Sequence, residues 1–382
     1  MIRRRFWIGK IESAWQQRSV VWLHGARRSG KTCLAQSLGA IEHLDCALPG
    51  VRRSLEDPEA LLASLRGRRV ALDEVHRLPK PAELLELAAE RLPDVQVLAI
   101  GPAKLGAEAS FPSTLAGQVP ELWLTPMIQA DLVDFGNTDL RHRLLHGGLP
   151  PYFLSLELPE KDFQEWMDAY WAKDAQELFR LERRSSFQRF VELVMARSGE
   201  MFEATQFTAP CGVSRGTIMK YLAVLEATGV ALVVRPFSSR RGHEIIAAPK
   251  VYGFDTGLVC VHRGWTQLRS DDSGRLWEHY VLNEIAARTQ STAIRYWRDK
   301  QGHAVSFVCA PAGGKLLGLE CKWSAGDLDP AGLQAFARNY PEARLLVATT
   351  DADLSFKRSY DGVPVEFVGL GEAVSQVAEA LA

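Results

Sequence analysis

The stretch Gly25-Ala26-Arg27-Arg28-Ser29-Gly30-Lys31-Thr32 satisfies G-x-x-x-x-G-K-[ST] at every fixed position. Glycine at Gly25 and Gly30 lets the main chain wrap a polyphosphate closely, so that successive N–H groups face the anion. Lys31 would reach the β- and γ-phosphates, and the Thr32 hydroxyl would ligate Mg²⁺. The whole loop, with Cys33 directly after it, is therefore a candidate site for ATP. Val70-Ala71-Leu72-Asp73-Glu74 adds carboxylates at the end of an apolar run. Asp73 would hold Mg²⁺, while Glu74 would orient and polarise an attacking water, with Lys31 as its catalytic partner. An acidic strand end alone is a common solvated turn; downstream of a complete phosphate loop it becomes a specific signal.

Such a loop needs a strand before it and a helix after it. Val20-Val21-Trp22-Leu23 reads as a buried strand, and Cys33 to Leu38, stopped by Gly39, reads as the helix. Val95-Gln96-Val97-Leu98-Ala99-Ile100-Gly101 is the next buried strand after the carboxylates. Residues 1–137 alternate strand-like and helical runs, the pattern of a parallel α/β nucleotide-binding domain. From Arg141 to about Ser198 the chain is helical and rich in Trp and Leu, with a turn at Gly147-Gly148-Leu149-Pro150-Pro151.

The 382 residues carry a net charge of −1, so no global field points to a nucleic-acid or membrane partner. The arginines near the start, Arg3-Arg4-Arg5, precede no apolar core of signal-peptide length, and no later run is long enough to span a bilayer. A cytoplasmic protein without a membrane partner is the expectation. Cys33, Cys46, Cys211, Cys260, Cys309 and Cys321 form no CxxC pair, which favours reduced thiols over zinc or disulfides.

Residues 138–248 read as a helical segment followed by a winged helix-turn-helix. Cys211-Gly212-Val213-Ser214 looks like a helix end, a glycine turn and a new N-cap, and Arg215 then opens a helix running to about Thr228. Ala231 to Val234 and Glu244 to Ile246 would form the wing hairpin. Arg215, Thr217, Lys220, Arg240 and Arg241 could meet DNA phosphates. Packing of the module against the ATP-binding domain or another subunit, with its basic residues solvated, is the other reading.

Residues 249–382 hold a further constellation. A helix near Gly274 to Ala287 precedes strand candidates at Ala293 to Trp297, Val305 to Cys309 and Leu316 to Lys322; a helix at Ala331 to Asn339 and a strand at Leu345 to Thr349 follow. This is the layout of the PD-(D/E)xK nuclease-like, or restriction-endonuclease-like, α/β fold. Period-2 geometry puts Glu320 and Lys322 on one face, where a carboxylate can hold a divalent ion and an ammonium can steady water. Ser306 stands where the partner aspartate belongs, so the site is degenerate.

With these motifs in this order, nearly the whole chain resembles a group of prokaryotic AAA-type P-loop ATPases, of AAA family 14 type. Their C-terminal half is a domain of unknown function (4143 type) of nuclease-like fold. The likeness also rests on Leu115-Ala116-Gly117-Gln118, Pro249 to Leu258 and Tyr296-Trp297-Arg298-Asp299. It implies an ATP-binding, ATP-hydrolysing protein whose nucleotide state controls DNA- or protein-binding modules, with DNA, another protein or further copies of itself as partners. Three departures matter. Ile100-Gly101-Pro102 replaces the family's hydroxyl-bearing sensor, Gln118 stands where the family has arginine, and Ala304-Val305-Ser306-Phe307 lacks both carboxylates of the usual pattern. Neutral Gln cannot supply a guanidinium's charge to a transition state. A nucleotide-gated scaffold with negligible hydrolysis is thus the alternative function. An active nuclease would need Glu278 or Glu284, helical glutamates of the kind that usually face solvent, to replace the aspartate.

Overall fold

Continuous apolar runs make the three inner strands of the first sheet buried on both faces, while its two edge strands are only partly buried. β1 (Val20–His24), β2 (Ile41–Asp45), β3 (Arg69–Asp73), β4 (Gln96–Ile100) and β5 (Glu121–Trp123) form a parallel sheet in the order β2-β3-β4-β1-β5. The computed structural model describes residues 2–107, 117–155, 157–158, 160–237, 248–311, 314–352 and 354–381. Leu115 and Ala116 of the Leu-Ala-Gly-Gln motif, and Arg240 and Arg241 with the expected wing strand Glu244 to Ile246, lie outside the described residues.

Contacts divide the chain into two compact units. The first comprises Met1–Gln188 and Gly216–Ala231 and contains the parallel sheet. Val20, Trp22, Val70, Leu72, Val97 and Ala99 are buried in its core, where Trp22 Nε1 donates to the Ala103 carbonyl at 3.0 Å. In a parallel sheet the carboxyl ends of the strands make one edge, and ligands bind there. The phosphate loop leaves β1 at that edge, and Asp73 closes β3 at the same edge. Helical segments follow, from Gln129–Phe135 to Gln176–Phe179, interrupted at Gly147 and by a π-helical turn at Trp171–Ala175.

The second unit comprises Arg189–Arg215 and Leu232–Ala382. Its mixed sheet holds β6 (Glu200–Met201), β7 (Ala231–Pro236), β8 (Lys250–Gly253), β9 (Arg295–Arg298), β10 (Ala304–Cys309), β11 (Leu317–Cys321), β12 (Arg344–Ala348), β13 (Phe356–Tyr360) and β14 (Val363–Val368). Their order is β13-β14-β12-β11-β10-β9-β7-β8-β6. β7 pairs in parallel with β9 as well as lying beside β8, so the strand expected to edge a wing sits inside a sheet. Val305, Leu333, Phe336, Val347 and Phe367 build the core on one face. The helix Ser270–Thr289 is anchored by Trp277 Nε1, which donates to the Ala348 carbonyl at 2.9 Å. No described helix is long and apolar enough to cross a membrane.

One buried ion pair ties the chain's start to the nucleotide edge. Arg4 donates to both oxygens of Asp131, at 2.8 and 2.7 Å, and its remaining nitrogen Nη1 donates to the Ser29 carbonyl at 2.8 Å. Both side chains are buried, so removing one leaves an uncompensated charge. Asp131→Ala should therefore destabilise the first unit by about 3–5 kcal/mol in urea titration, and Arg4→Met/Asp131→Leu should recover much of the loss. A loss below about 1 kcal/mol in the single variant would show that the pair is not buried in solution.

Candidate functional site

The phosphate loop is shaped by its backbone. At Gly25 φ is +151° and a Cβ would lie 2.5 Å from the Leu124 carbonyl oxygen; Gly30, with φ +95°, begins the helix Lys31–Gln36. Thr32 Oγ1 donates to Asp73 Oδ2 at 2.6 Å, joining loop to strand end, while Asp73 Oδ1 accepts the Glu74 N–H at 3.0 Å. His43 Nε2 approaches Asp73 at 3.3 Å. Glu74 itself is left-handed, with φ +54° and ψ +38°. A non-glycine residue held there stores about 1–3 kcal/mol, a cost concentrated at functional sites.

Lys31 folds back and donates to the carbonyls of Gly25, at 2.7 Å, and Ala26, at 3.2 Å. Burial lowers its pKa, against the opposing pull of the Asp174, Glu74 and Asp73 carboxylates. Arg27 is gripped by Asp174, with Nε–Oδ2 2.7 Å and Nη2–Oδ1 3.0 Å. Arg28 donates to the Tyr152 hydroxyl at 2.8 Å. Trp166 Nε1 donates to the Arg27 carbonyl at 3.0 Å. Lys31, Thr32, Asp73 and Glu74 face a common cavity of about 550 Å³, to which Arg27, Cys33 and Asp174 also contribute. Its other wall is apolar, with Ile2, Phe135, Pro150 and Leu154. Thr32 and Asp73 offer the hard oxygen donors that suit Mg²⁺, and their spacing fits a shared ion.

Sequence reasoning brought the loop and the carboxylates together but missed Arg4, Asp131, Tyr152, Trp166 and Asp174. The signal available was thin: Arg4 stood in a basic run, and Asp174 in a helical stretch with charges all round. Gly101 and Pro102 lie where the sensor was expected, and a Cβ at Gly101 would collide with the Trp22 ring. On the helix Arg215–Ala227, Arg215 and Lys220 are exposed and Thr217 is half-buried.

In the second unit, Ser306 on β10 faces Glu320 on β11, whose Oε2 accepts the Ser306 N–H at 2.9 Å. Ser306 Oγ donates to Glu278 Oε2 at 2.7 Å and lies 3.2 Å from Glu320 Oε2. Glu278, on the helix Ser270–Thr289, is therefore a member of the cluster and not the solvated helical glutamate that sequence reasoning favoured. Lys250 approaches Glu278 at 3.1 Å, and Lys322 approaches Glu320 at 3.2 Å, so each carboxylate has its own cation. Burial and the neighbouring Glu278 charge push the Glu320 pKa up, against the pull of Lys322. Burial also acts upward on Glu278, but Lys250 and the hydrogen bonds from Tyr252 and Ser306 bring it below its ordinary value. Among the described residues no group of three or more acidic, His or Cys side chains is placed to hold a metal, and this donor set does not fit Mg²⁺.

Residues 17–133 match the family model of an AAA domain, residues 273–368 that of a Domain of unknown function (DUF4143), and residues 137–269 that of a Domain of unknown function (DUF8612). Uncharacterized proteins of Mycobacterium bovis and Mycobacterium tuberculosis are each 26% identical over 334 residues, covering 84% of this chain and 74% of theirs. Among solved structures, the Walker-type ATPase PABY2304 of Pyrococcus abyssi matches 69% of this chain and 96% of its own, at 14% identity and a TM-score of 0.41. The P-loop NTPase domain of the sigma-54 transport activator from E. coli matches 30% and 95%, at 18% identity and a TM-score of 0.23. The parallel sheet, the phosphate loop following its inner strand β1 and these family matches agree: residues 17–133 match an AAA domain of P-loop type and residues 273–368 match a DUF4143 domain.

Proposed function

We propose that the chain binds Mg·ATP at Gly25 to Cys33 and hydrolyses it. The observation that carries this reading is the meeting of Lys31, Thr32, Asp73 and Glu74 around one cavity at the carboxyl edge of the sheet. Lys31 exchanges the loop carbonyls for the β- and γ-phosphates, a charge-assisted contact stronger than the one it leaves. Mg²⁺, when bound, neutralises charge on the phosphate oxygens. Thr32 and Asp73 hold it, and Glu74 aligns the water that attacks. Lys31→Ala should weaken ATP binding by about 1.5–3 kcal/mol by calorimetry. Glu74→Gln should keep ATP bound while slowing phosphate release by about a hundredfold or more. Unchanged ATP affinity in folded Lys31→Ala protein sinks the assignment. A nucleotide-gated scaffold is the second reading, favoured by Pro102 and Gln118, which bring neither a hydroxyl nor a charge to the γ-phosphate; wild-type protein that binds ATP but releases no phosphate decides for it.

The finer part of the proposal is that nucleotide state governs contacts of the downstream modules. Exposed Arg215 and Lys220 support DNA phosphates as one partner, in a chain whose charge is otherwise balanced. Binding to duplex DNA should then weaken steeply with salt, and Lys220→Ala should lower the log–log slope by about one. No mobility shift at low salt assigns the helix to protein contacts instead.

The cluster at Ser306 supports a nuclease-like domain without nuclease chemistry. Cleavage of that type needs clustered carboxylates to hold a metal and lower the pKa of its water. Here Glu278 and Glu320 are paired to lysines and linked through a neutral hydroxyl. Plasmid, linear and single-stranded DNA, and RNA, should stay intact with Mg²⁺ or Mn²⁺. Metal-dependent cleavage that disappears in Glu320→Ala overturns this.

A further inference from the structure

Consecutive arginines in the phosphate loop are anchored in different ways. Arg28 lines the cavity at its more exposed side, donating to the Tyr152 hydroxyl and lying 3.6 Å from Glu165. Arg27 turns to the same cavity as Lys31, Thr32, Asp73 and Glu74, where Asp174 meets it with two oxygens. Asp174 is almost wholly buried and sits on the π-helical turn Trp171–Ala175, an irregularity that helices carry most often at functional sites. About two turns earlier, Trp166 holds the Arg27 carbonyl, so the same helical segment fixes both the main chain and the side chain of Arg27.

The charges around Asp174 are Arg27, Lys31 and Glu74. Burial pushes its carboxyl up to about 6, with Arg27 and Lys31 pulling the other way. The pair thus keeps a guanidinium desolvated and oriented beside the lysine of the loop. Gly101-Pro102, after β4, and Gln118 carry no positive charge.

We propose that Arg27 is the cation that this chain supplies in cis to the terminal phosphate of a bound nucleoside triphosphate, and that Asp174 is its positioning residue. The inference rests on the nucleotide-binding reading above. In the reaction a water oxygen forms a bond to the γ-phosphorus, and the bond from that phosphorus to the β,γ-bridging oxygen breaks with its electron pair passing to the diphosphate. The proton lost by the water passes by way of Glu74 to the released phosphate. Arg27 stabilises the charge gathered on the transferring group, a role in which a positioned guanidinium is worth a thousandfold or more. Lysine lacks the planar fork and cannot stand in fully.

The test measures ADP affinity, ADP–aluminium fluoride affinity and single-turnover hydrolysis for the wild-type chain and for Arg27→Ala, Arg27→Lys and Asp174→Asn. Arg27→Ala should leave ADP affinity within about threefold, yet lose ADP–aluminium fluoride affinity about a hundredfold and hydrolysis about a thousandfold. Arg27→Lys should recover a small part of both losses. Asp174→Asn should bind ADP more tightly, because a carboxylate facing the phosphates is gone, and hydrolyse about tenfold more slowly, because Arg27 is no longer held. Should Arg27→Ala unfold, Arg27→Gln carries the same expectations with a smaller change in packing. Equal aluminium fluoride affinity in wild type and a folded Arg27 variant overturns the proposal, as does a wild-type chain that binds ADP without gaining affinity from the fluoride. Absence of ADP binding to the wild type overturns the underlying reading instead.

Discussion

The contact from Thr32 to Asp73 is where loop and sheet become one site, and the rest of the first unit exists to make it possible. Val97 of β4 is level with both Val20 of β1 and Val70 of β3, so the strands flanking β4 run in step. Counting forward, Leu23 and Asp73 are then level, one residue before His24 and Glu74 at the carboxyl edge. A slip of one residue in either strand would move the carboxylate by about 3.3 Å, more than a hydrogen bond tolerates. The continuous apolar runs hold that register. Trp22, Leu72 and Ala99 are buried in one core, and Gly101 leaves room for the indole that fills it.

Charge is the second constraint. A loop that gathers Arg27, Arg28 and Lys31 before any anion arrives would be unstable if those cations were buried alone, since an unpaired buried charge costs several kcal/mol. The chain answers with carboxylates from distant elements: Asp73 and Glu74 from the end of β3, Glu165 and Asp174 from the helical segment. The same helices therefore stabilise the ligand-free loop and stand ready to sense whatever replaces their carboxylates. Trp166 adds a neutral hydrogen bond to the Arg27 carbonyl, and the Tyr152 hydroxyl accepts a charge-assisted one from Arg28.

Legibility followed locality. The loop and the β3 carboxylates were readable because their chemistry is written in consecutive residues beside apolar runs, and Glu320 with Lys322 because a strand repeats every second residue. Arg4 and Asp131 lie 127 residues apart and Arg27 and Asp174 147 apart, and no local pattern joins them. Glu278 was misjudged because a glutamate on a long helix looks like a solvated face until the helix is seen to pack over β10 and β11. β2, with Glu42, His43 and Asp45 among its five residues, has neither an apolar run nor clean alternation, so it announces itself only through its pairing with β3. β7 carried a correct strand signal, but its parallel partner β9 lies far along the chain.

The two polar clusters of this chain differ in how completely they satisfy themselves, and that difference is informative about ligands. Around Ser306 each carboxylate oxygen has a partner: Glu278 Oε1 has Lys250 and Tyr252, Glu278 Oε2 has Ser306 Oγ, Glu320 Oε1 has Lys322, and Glu320 Oε2 has the Ser306 N–H. Two negative charges meet two positive ones, and a hydroxyl bridges them. An added dication would have to displace these contacts, and among the described residues no group of three or more acidic, His or Cys side chains is placed to hold it. The nucleotide site is the opposite case. Ser29 Oγ is buried there without a hydrogen-bond partner, Glu74 Oε2 makes only the long contacts of 3.5 Å to His76 and 3.7 Å to Arg77 and no hydrogen bond, and Lys31 is parked on carbonyls of its own loop. Leaving polar atoms unsatisfied costs free energy that folding alone does not return. A site that carries that cost is organised for a ligand, whereas one whose charges already cancel is organised for the fold.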